Sequence, residues 1–396
     1  MHVDRGRVRV RVRSRGLIPL NLARIILLFV FSRQLAPAEE CGAEECKVES
    51  TFRFFPSIPV RFGRMETSII TDIGAFLTTA KRPLLVLVGP TASGKTALSI
   101  SLAHALSEEG KTVEIINADS RQLYRALDIG TAKIRTEDMQ GIPHHLLDQL
   151  DPKKEVTAAW YKREAERVIG EIRQRAHVPF LVGGSMLYVS AIVDHLAFVD
   201  RADPSLRKTL RKRLQTEGPA ALFAELQELD PEGALSVDPR NSVYLLRALE
   251  VCLVTGRTLK HAKKKNTSSD EDLFFMGLAL PREELHRRIA ARTEAMFAEG
   301  FVEEVSSLLQ HGYSAEDPGM QSHGYRDIAE RLQKASVEEV RRDAALKQAI
   351  TAKARQYARR QMTWWREDER IRWIAPSPIP QPGALHHPLP GGEGRQ

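Results

Sequence analysis

The spacing of apolar and polar positions changes several times along the chain, and each change marks an element. Residues 84–88, Leu-Leu-Val-Leu-Val, form a short unbroken apolar run between Pro83 and Gly89, as a strand buried on both faces would. Residues 96–107 read as the helix that follows it. A second β-rich run at 113–117, a helix over about 158–175 and a third strand at 178–182 repeat the alternation. Strand and helix in turn imply a parallel sheet whose ligand sits beyond the carboxyl ends of its strands. The fold class expected is therefore α/β.

Past Asp203-Pro204 the pattern becomes helical and charged, with breaks at Gly218-Pro219, Asp230-Pro231 and Asp238-Pro239. Residues 200–239 are read as a helical insertion. Helices then dominate to Trp373, apart from a strand expected at 274–280. The core would thus comprise 65–199 plus 240–374. The tail, 375–396, is rich in Pro and Gly and is read as disordered. Residues 1–64 are read as a leader outside the fold, with Met65 as the expected true start. Arg and Val alternate there, and the apolar run at 25–31 falls far short of the ~20 residues of a membrane span.

Charge changes this picture only locally. The chain carries a formal charge of +7, but residues 1–64 supply +6 of it, so the body is nearly neutral and a polyanionic partner must be argued from patches. Three such patches are present: Arg207, Lys208, Arg211, Lys212 and Arg213; Arg257, Lys260, Lys263, Lys264 and Lys265; and Lys353, Arg355, Arg359 and Arg360. The three cysteines form neither a disulfide framework nor a zinc site, which suits a reducing, cytoplasmic setting. His144-His145 and Cys252 lack spaced partners and are assigned structural roles. Trp364-Trp365 are assigned to packing of the last helix.

The chemistry begins at Gly89-Pro90-Thr91-Ala92-Ser93-Gly94-Lys95-Thr96, which fits the G-x-x-x-x-G-K-[ST] pattern and lies between an expected strand and an expected helix. Backbone amides, a helix N-terminus, the Lys95 charge and a Thr96 hydroxyl able to hold Mg²⁺ make a polyphosphate site. The core is accordingly expected to be of the P-loop type. Asp119, in Asn117-Ala118-Asp119-Ser120-Arg121-Gln122, follows the second strand and so faces the same sheet edge. A carboxylate there suits a metal ligand, a proton acceptor or a helix cap. Gly183-Gly184-Ser185 closes the third strand, and no acid follows it as a Walker B motif would supply, which argues against an ATP-hydrolysing enzyme.

These segments, with R-A-L-E-V at Arg247 and A-R-R-Q-M-T-W ending at Trp364, resemble the tRNA dimethylallyltransferase family in order over residues 82–373. The resemblance implies a monomeric enzyme that moves the dimethylallyl group of dimethylallyl diphosphate to N6 of the adenosine 3′ of the anticodon, with Mg²⁺ and without a membrane. It implies that the P-loop grips the diphosphate together with Arg247, and that Asp119 is the general base. It also implies that Ser185, where Thr is usual, lies near the reaction centre. Contacts to the extruded adenine would come from Asp119, Ser120, Arg121, Gln122 and Tyr124. Arg207, Tyr244 and Arg355 would meet the tRNA.

The chain departs from the family at Val243-Tyr244, where Gln-Arg is usual, and at Ala354-Arg355, where Thr-Arg is usual. The rival readings are a P-loop kinase of a small molecule, a prenyltransferase of free adenine nucleotides, and a non-catalytic RNA-binding protein. Tyr244 is expected to pack in the core of the helical region, with stacking on the extruded base or a neighbour as the competing role.

Overall fold

The computed structural model describes residues 3–4, 7–8, 64–196, 198, 204–256, 258–259 and 271–375. Most of the expected leader, the Pro-rich tail beyond residue 375 and the basic patch from Arg257 to Lys265 lie outside the described residues. Within the first 57 residues, Val3–Asp4 pairs antiparallel with Arg7–Val8.

The strands are β1 (Pro83–Val88), β2 (Val113–Ala118), β3 (His144–His145), β4 (Val178–Gly183), β5 (Asp272–Leu278) and β6 (Arg372–Ile374). They form one sheet in the order β3-β2-β4-β1-β5-β6, with every pair parallel. Side chains alternate across it. Leu84, Val86, Val88, Ile116, Leu181 and Phe275 face α3 (Ala158–Gln174) and α4 (Met186–Val193), meeting Tyr161, Ile169, Val189 and Ile192. Leu85, Leu87, Ile115, Phe180, Val182 and Met276 face α1 (Arg64–Thr79) and α2 (Lys95–Glu108), meeting Ile73, Leu98, Leu102 and Leu106. Because both faces are covered, β1, β4 and most of β5 are near-continuous apolar runs with no alternation in sequence. Among the described residues, no helix is long and apolar enough to cross a membrane.

The sheet has two short strands that the apolar pattern does not announce. His144 and His145 pair with Ile115 and Ile116 at one edge, and Arg372–Ile374 pairs with Met276–Leu278 at the other. The expected strand at 274–280 begins and ends two residues earlier, at Asp272–Leu278. Both small strands are too short to carry a readable period. Tertiary pairing alone makes them strands.

The helical segment is α5 (Pro204–Leu229), interrupted at Gly218 with φ 82°, then α6 (Pro231–Ala234) and α7 (Ser242–Thr255). The breaks read from Gly218-Pro219 and Asp230-Pro231 are present, and the Asp230 carboxylate caps α6 by accepting the Gly233 N–H at 2.9 Å. The packing carries this helical unit beyond residue 239. Leu245, Ala248, Leu249 and Cys252 of α7 share one apolar cluster with Leu210, Leu222 and Leu226 of α5, and the cluster continues to Leu259.

A fourth cluster joins α8 (Arg282–Ala298), α9 (Phe301–Gln310), α10 (Tyr325–Leu332), α11 (Val337–Arg342) and α12 (Ala344–Trp365) around Phe297, Phe301, Tyr325 and Ile350. Asp343 starts α12 by accepting the Leu346 N–H at 2.9 Å. Trp365 ends it inside the core, 1% exposed, whereas Trp364 is half exposed, so only Trp365 packs as expected of both.

Candidate active site

Parallel register brings Val88, Ala118 and Gly183 to one edge of the sheet, so the loops after β1, β2 and β4 converge. The β1 loop turns at Gly89, with φ 151°. A Cβ there would sit 2.9 Å from the Leu278 carbonyl oxygen, which excludes any larger residue. Gly94, with φ 98°, then aims the chain into α2. The first turn of α2 leaves backbone N–H groups without helical partners, the general basis of anion binding at a helix start. Ser93 Oγ is fully buried and has no hydrogen-bond partner among the described residues, a polar atom of the kind a phosphate oxygen would satisfy.

Lys95 Nζ folds over the loop and donates to the carbonyl oxygens of Gly89 at 3.0 Å and Pro90 at 2.9 Å. Burial depresses its pKa to about 8; the Asp119 carboxylate opposes the shift and the nearby Arg292 adds to it. Arg292, on α8, donates through Nη2 to Thr91 Oγ1. Burial also lowers the Arg292 pKa, with Asp119 opposing. Lys95, Arg292 and Asp119 therefore feel one another's charge, and two cations and one anion form a single site.

The β2 loop is held by its own polar groups. Asp119 N–H donates to Asn117 Oδ1 at 2.9 Å, and Arg121 N–H donates to Asp119 Oδ1 at 2.9 Å. Asn117 Nδ2 in turn holds the carbonyl oxygens of Asp119 and Leu146, and Tyr161 OH donates to the Asn117 carbonyl at 2.9 Å. One Asp119 oxygen is thus fixed by backbone, which aims the carboxylate. The helix-cap alternative does not hold, since Asp119 lies in a loop that starts no helix.

The β4 loop completes the edge. Ser185 Oγ accepts the Ser120 N–H at 2.8 Å and donates to Ser120 Oγ at 3.2 Å. Tyr357, on α12, reaches the Gly184 carbonyl at 3.3 Å; burial and the Asp119 charge push its hydroxyl pKa up to about 12. His323 lies 5.0 Å from the Tyr357 ring, and burial, with Arg121 and Arg360 nearby, lowers its pKa.

The geometry gives several residues expected in the site partners within the protein. Arg247 lies on α7 with Nη1 3.2 Å from Glu250, and an arginine in contact with the P-loop is Arg292, through Thr91. Arg207 is also spoken for, with Nε 2.7 Å from the buried Glu250 carboxylate. A buried carboxylate that draws two guanidinium groups explains both pairings, since a lone buried charge costs several kcal/mol. Tyr124 is buried and donates to the Lys154 carbonyl at 3.1 Å. Gln122 ties its amide to the carbonyl oxygens of Thr131 and Ala132 at 3.2 Å, and Arg121 reaches the Pro318 carbonyl at 3.3 Å.

Other expected surfaces remain open. Tyr244 is 66% exposed, which corrects the expectation that it packs in the core of the helical unit, and Val243 beside it is exposed as well. Lys208, Arg211, Lys212, Arg359 and Arg360 are exposed, while Arg355 is half-buried with its Nε unpaired. Thr96 is exposed at the first turn of α2. Its hydroxyl is a hard oxygen donor beside the phosphate cradle, which fits Mg²⁺; Mg²⁺ commonly takes one or two protein oxygens and completes its shell with phosphate and water. Among the described residues, no group of three or more His, Cys, Asp or Glu side chains is arranged to hold a metal by itself. His145 is structural, as expected, with Nε2 2.6 Å from Glu114.

Motif reading singles out neither Arg292 nor Gln361, which both reach Thr91 of the P-loop. Arg292 belongs to no local pattern, and Gln361 stands within A-R-R-Q-M-T-W with nothing to reveal its partners. Gln361 Oε1 accepts the Thr91 N–H at 2.8 Å, and its Nε2 donates to the Gly184 carbonyl at 2.8 Å.

Comparison with known proteins points one way. The sequence model of the IPP transferase family matches residues 122–368. The chain is 42% identical over 298 residues to the tRNA dimethylallyltransferase of Geobacter sulfurreducens, covering 74% of this chain and 92% of that protein. It is 42% identical over 294 residues to tRNA dimethylallyltransferase 1 of Mycobacterium marinum, with 74% and 92% covered. The crystal structure of the full-length tRNA isopentenylpyrophosphate transferase of Bacillus halodurans superposes with a TM-score of 0.53 at 35% identity, covering 74% of this chain and 90% of that one. A eukaryotic dimethylallyltransferase acting on tRNA shares the fold, with a TM-score of 0.61 at 24% identity and 74% of each chain covered.

Proposed function

The chain belongs to the tRNA dimethylallyltransferase family, and from that we propose that it transfers the dimethylallyl group of dimethylallyl diphosphate to N6 of the adenosine immediately 3′ of the anticodon in tRNA. The observation that carries this reading is the meeting of a phosphate-binding loop and an oriented carboxylate at one sheet edge, with Lys95 and Arg292 beside Asp119. P-loop amides, Lys95 and Arg292 bind the diphosphate. Asp119 faces the acceptor.

The exocyclic amine of adenine is a weak nucleophile because its lone pair is delocalised into the ring. In the step proposed, the amine nitrogen forms a bond to the allylic C1 as the C1–O bond breaks, and the electron pair leaves on the diphosphate. Asp119 accepts the proton that the nitrogen sheds, a contribution commonly worth ~10²–10⁴ in rate. Lys95 and Arg292 stabilise the charge growing on the leaving group; removing one such donor typically costs ~10²–10³. Mg²⁺ on Thr96, when bound, would neutralise part of the same charge. Because the amine lies within a base stack, the nucleotide must be extruded at a cost of a few kcal/mol. Exposed Tyr244, Lys208, Arg211 and Lys212 on the helical unit, and Arg359 and Arg360 on α12, support contact with the tRNA. The absence of an acid after β4 speaks against a kinase, and the family relatives speak against free nucleotides as acceptors.

The test is incubation of the chain with radiolabelled dimethylallyl diphosphate and, separately, tRNA or AMP, with an Asp119→Asn variant alongside. Label entering tRNA alone, lost in Asp119→Asn while pyrophosphate still binds, supports the reading. Label entering AMP instead, or an equal loss of pyrophosphate affinity in Asp119→Asn, refutes it.

A further inference from the structure

The ladder between β1 and β4 ends at Leu87 and Val182. Beyond that pair the two strands open into separate loops, one holding Thr91 and the other Gly184 and Ser185. The side chain that spans the gap is Gln361 of α12, which is 1% exposed. Its Oε1 accepts the Thr91 N–H and its Nε2 donates to the Gly184 carbonyl, each at 2.8 Å. The amide has only one useful orientation: reversing it would set donor against donor at Thr91 and acceptor against acceptor at Gly184. The backbone is shaped to admit it, because a Cβ on Gly184 would lie 2.2 Å from Gln361 Nε2.

The link continues from Gly184 to the base. Ser185 N–H donates to the Ala118 carbonyl at 3.0 Å, and Ser185 Oγ holds the Ser120 N–H at 2.8 Å, so the two bonds bracket Asp119. On the other side, Ala92 at the tip of the P-loop packs beside Ala358 of α12 and Leu285 and Ile289 of α8, the helix that delivers Arg292 to Thr91. We infer that Gln361 is a positioning residue that sets the distance between the diphosphate-holding loop and the loop carrying Asp119, and thereby the distance from the prenyl carbon to the acceptor nitrogen. This rests on the reading that the P-loop holds the donor and Asp119 serves the acceptor.

A spacer of this kind acts on turnover rather than on donor affinity, because each loop keeps its own ligand contacts while their separation drifts. Gln361→Met keeps the length and bulk and removes both hydrogen bonds. Melting temperature, the Kd for inorganic pyrophosphate and the single-turnover rate of prenyl transfer to tRNA are to be measured on one preparation. A misplacement on the order of 1 Å costs up to about a hundredfold in rate, so the expected result is a 10- to 100-fold slower single turnover with pyrophosphate Kd within about threefold. An unchanged rate per folded molecule, or a loss confined to pyrophosphate Kd, overturns the inference.

If Gln361→Met fails to fold, Gln361→Glu decides. It keeps the acceptor for Thr91 but loses the donor to Gly184 until its carboxyl is protonated. The ratio of its transfer rate to that of the unaltered chain is therefore expected to rise as pH falls through the carboxyl range, which burial moves upward. A ratio independent of pH overturns the inference. Failure of the unaltered chain to transfer label to tRNA would overturn the functional reading as well, whereas normal transfer by that chain with normal rates in the variants overturns the role of Gln361 alone.

Discussion

Diphosphate binding is expected to weaken above pH 8 for a reason that belongs to Lys95. Its ammonium is held over the P-loop by two carbonyl oxygens and sits in a buried site beside Arg292, and its pKa is depressed to about 8 against the pull of Asp119. A bound diphosphate adds negative charge and raises that pKa, so above the midpoint binding must take up a proton. At pH 9 only about one Lys95 in eleven is protonated in the free protein, which predicts a Kd about tenfold weaker than at pH 7 and a further tenfold per pH unit, about 1.4 kcal/mol each. Calorimetric titration with inorganic pyrophosphate between pH 6.5 and 9.5 measures it, and Lys95→Arg corrects for the titration of pyrophosphate itself. Asp119→Asn removes the anion that raises the Lys95 pKa and moves the onset to lower pH. A Kd ratio between the unaltered chain and Lys95→Arg that stays constant to pH 9.5, or an onset that Asp119→Asn leaves in place, would show that Lys95 is not the group responsible.

Three further outcomes are expected. Arg292→Ala removes a charged donor from the P-loop and should weaken pyrophosphate binding by ~1.5–3 kcal/mol. Arg247→Ala should leave that Kd in place while lowering the melting temperature, since it strips a partner from buried Glu250; equal losses of affinity from the two would return Arg247 to the site. Burial alone would raise the Glu114 pKa, but hydrogen bonds from Arg175, His177 and His145 outweigh it and hold the carboxyl at about 2 against 4.5 when free. That stabilisation is present above about pH 4.5, is lost as pH falls toward 2, and amounts to roughly 3 kcal/mol. Urea unfolding of Glu114→Gln should therefore show a deficit at pH 7 that shrinks at low pH, and a deficit constant with pH would falsify the assignment. Tyr244→Ala should raise the tRNA KM by the equivalent of ~1–3 kcal/mol without changing the salt slope or the melting temperature; a fall in melting temperature with KM unchanged would count against stacking.

The sequence alone determined what depends on neighbours in the chain. The P-loop is eight consecutive residues whose glycines, amides and lysine act together, so its pattern and its place between strand and helix were legible without coordinates. The same holds for the buried parallel strands, whose unbroken apolar runs follow from cover on both faces, and for Asp119, which a strand end delivers to the edge shared with the P-loop. Tertiary structure alone decided which distant groups complete the site. Thr91 meets Arg292 across 201 positions and Gln361 across 270, and both contacts exist because Leu285, Ile289 and Ala358 seat α8 and α12 against Ala92. Arg247, which the family resemblance offers to the diphosphate, lies on α7 within the helical cluster, where buried Glu250 pairs with both Arg247 and Arg207. A guanidinium goes to the anion that folding places within reach, and that distance is set by helix packing, which no local pattern encodes.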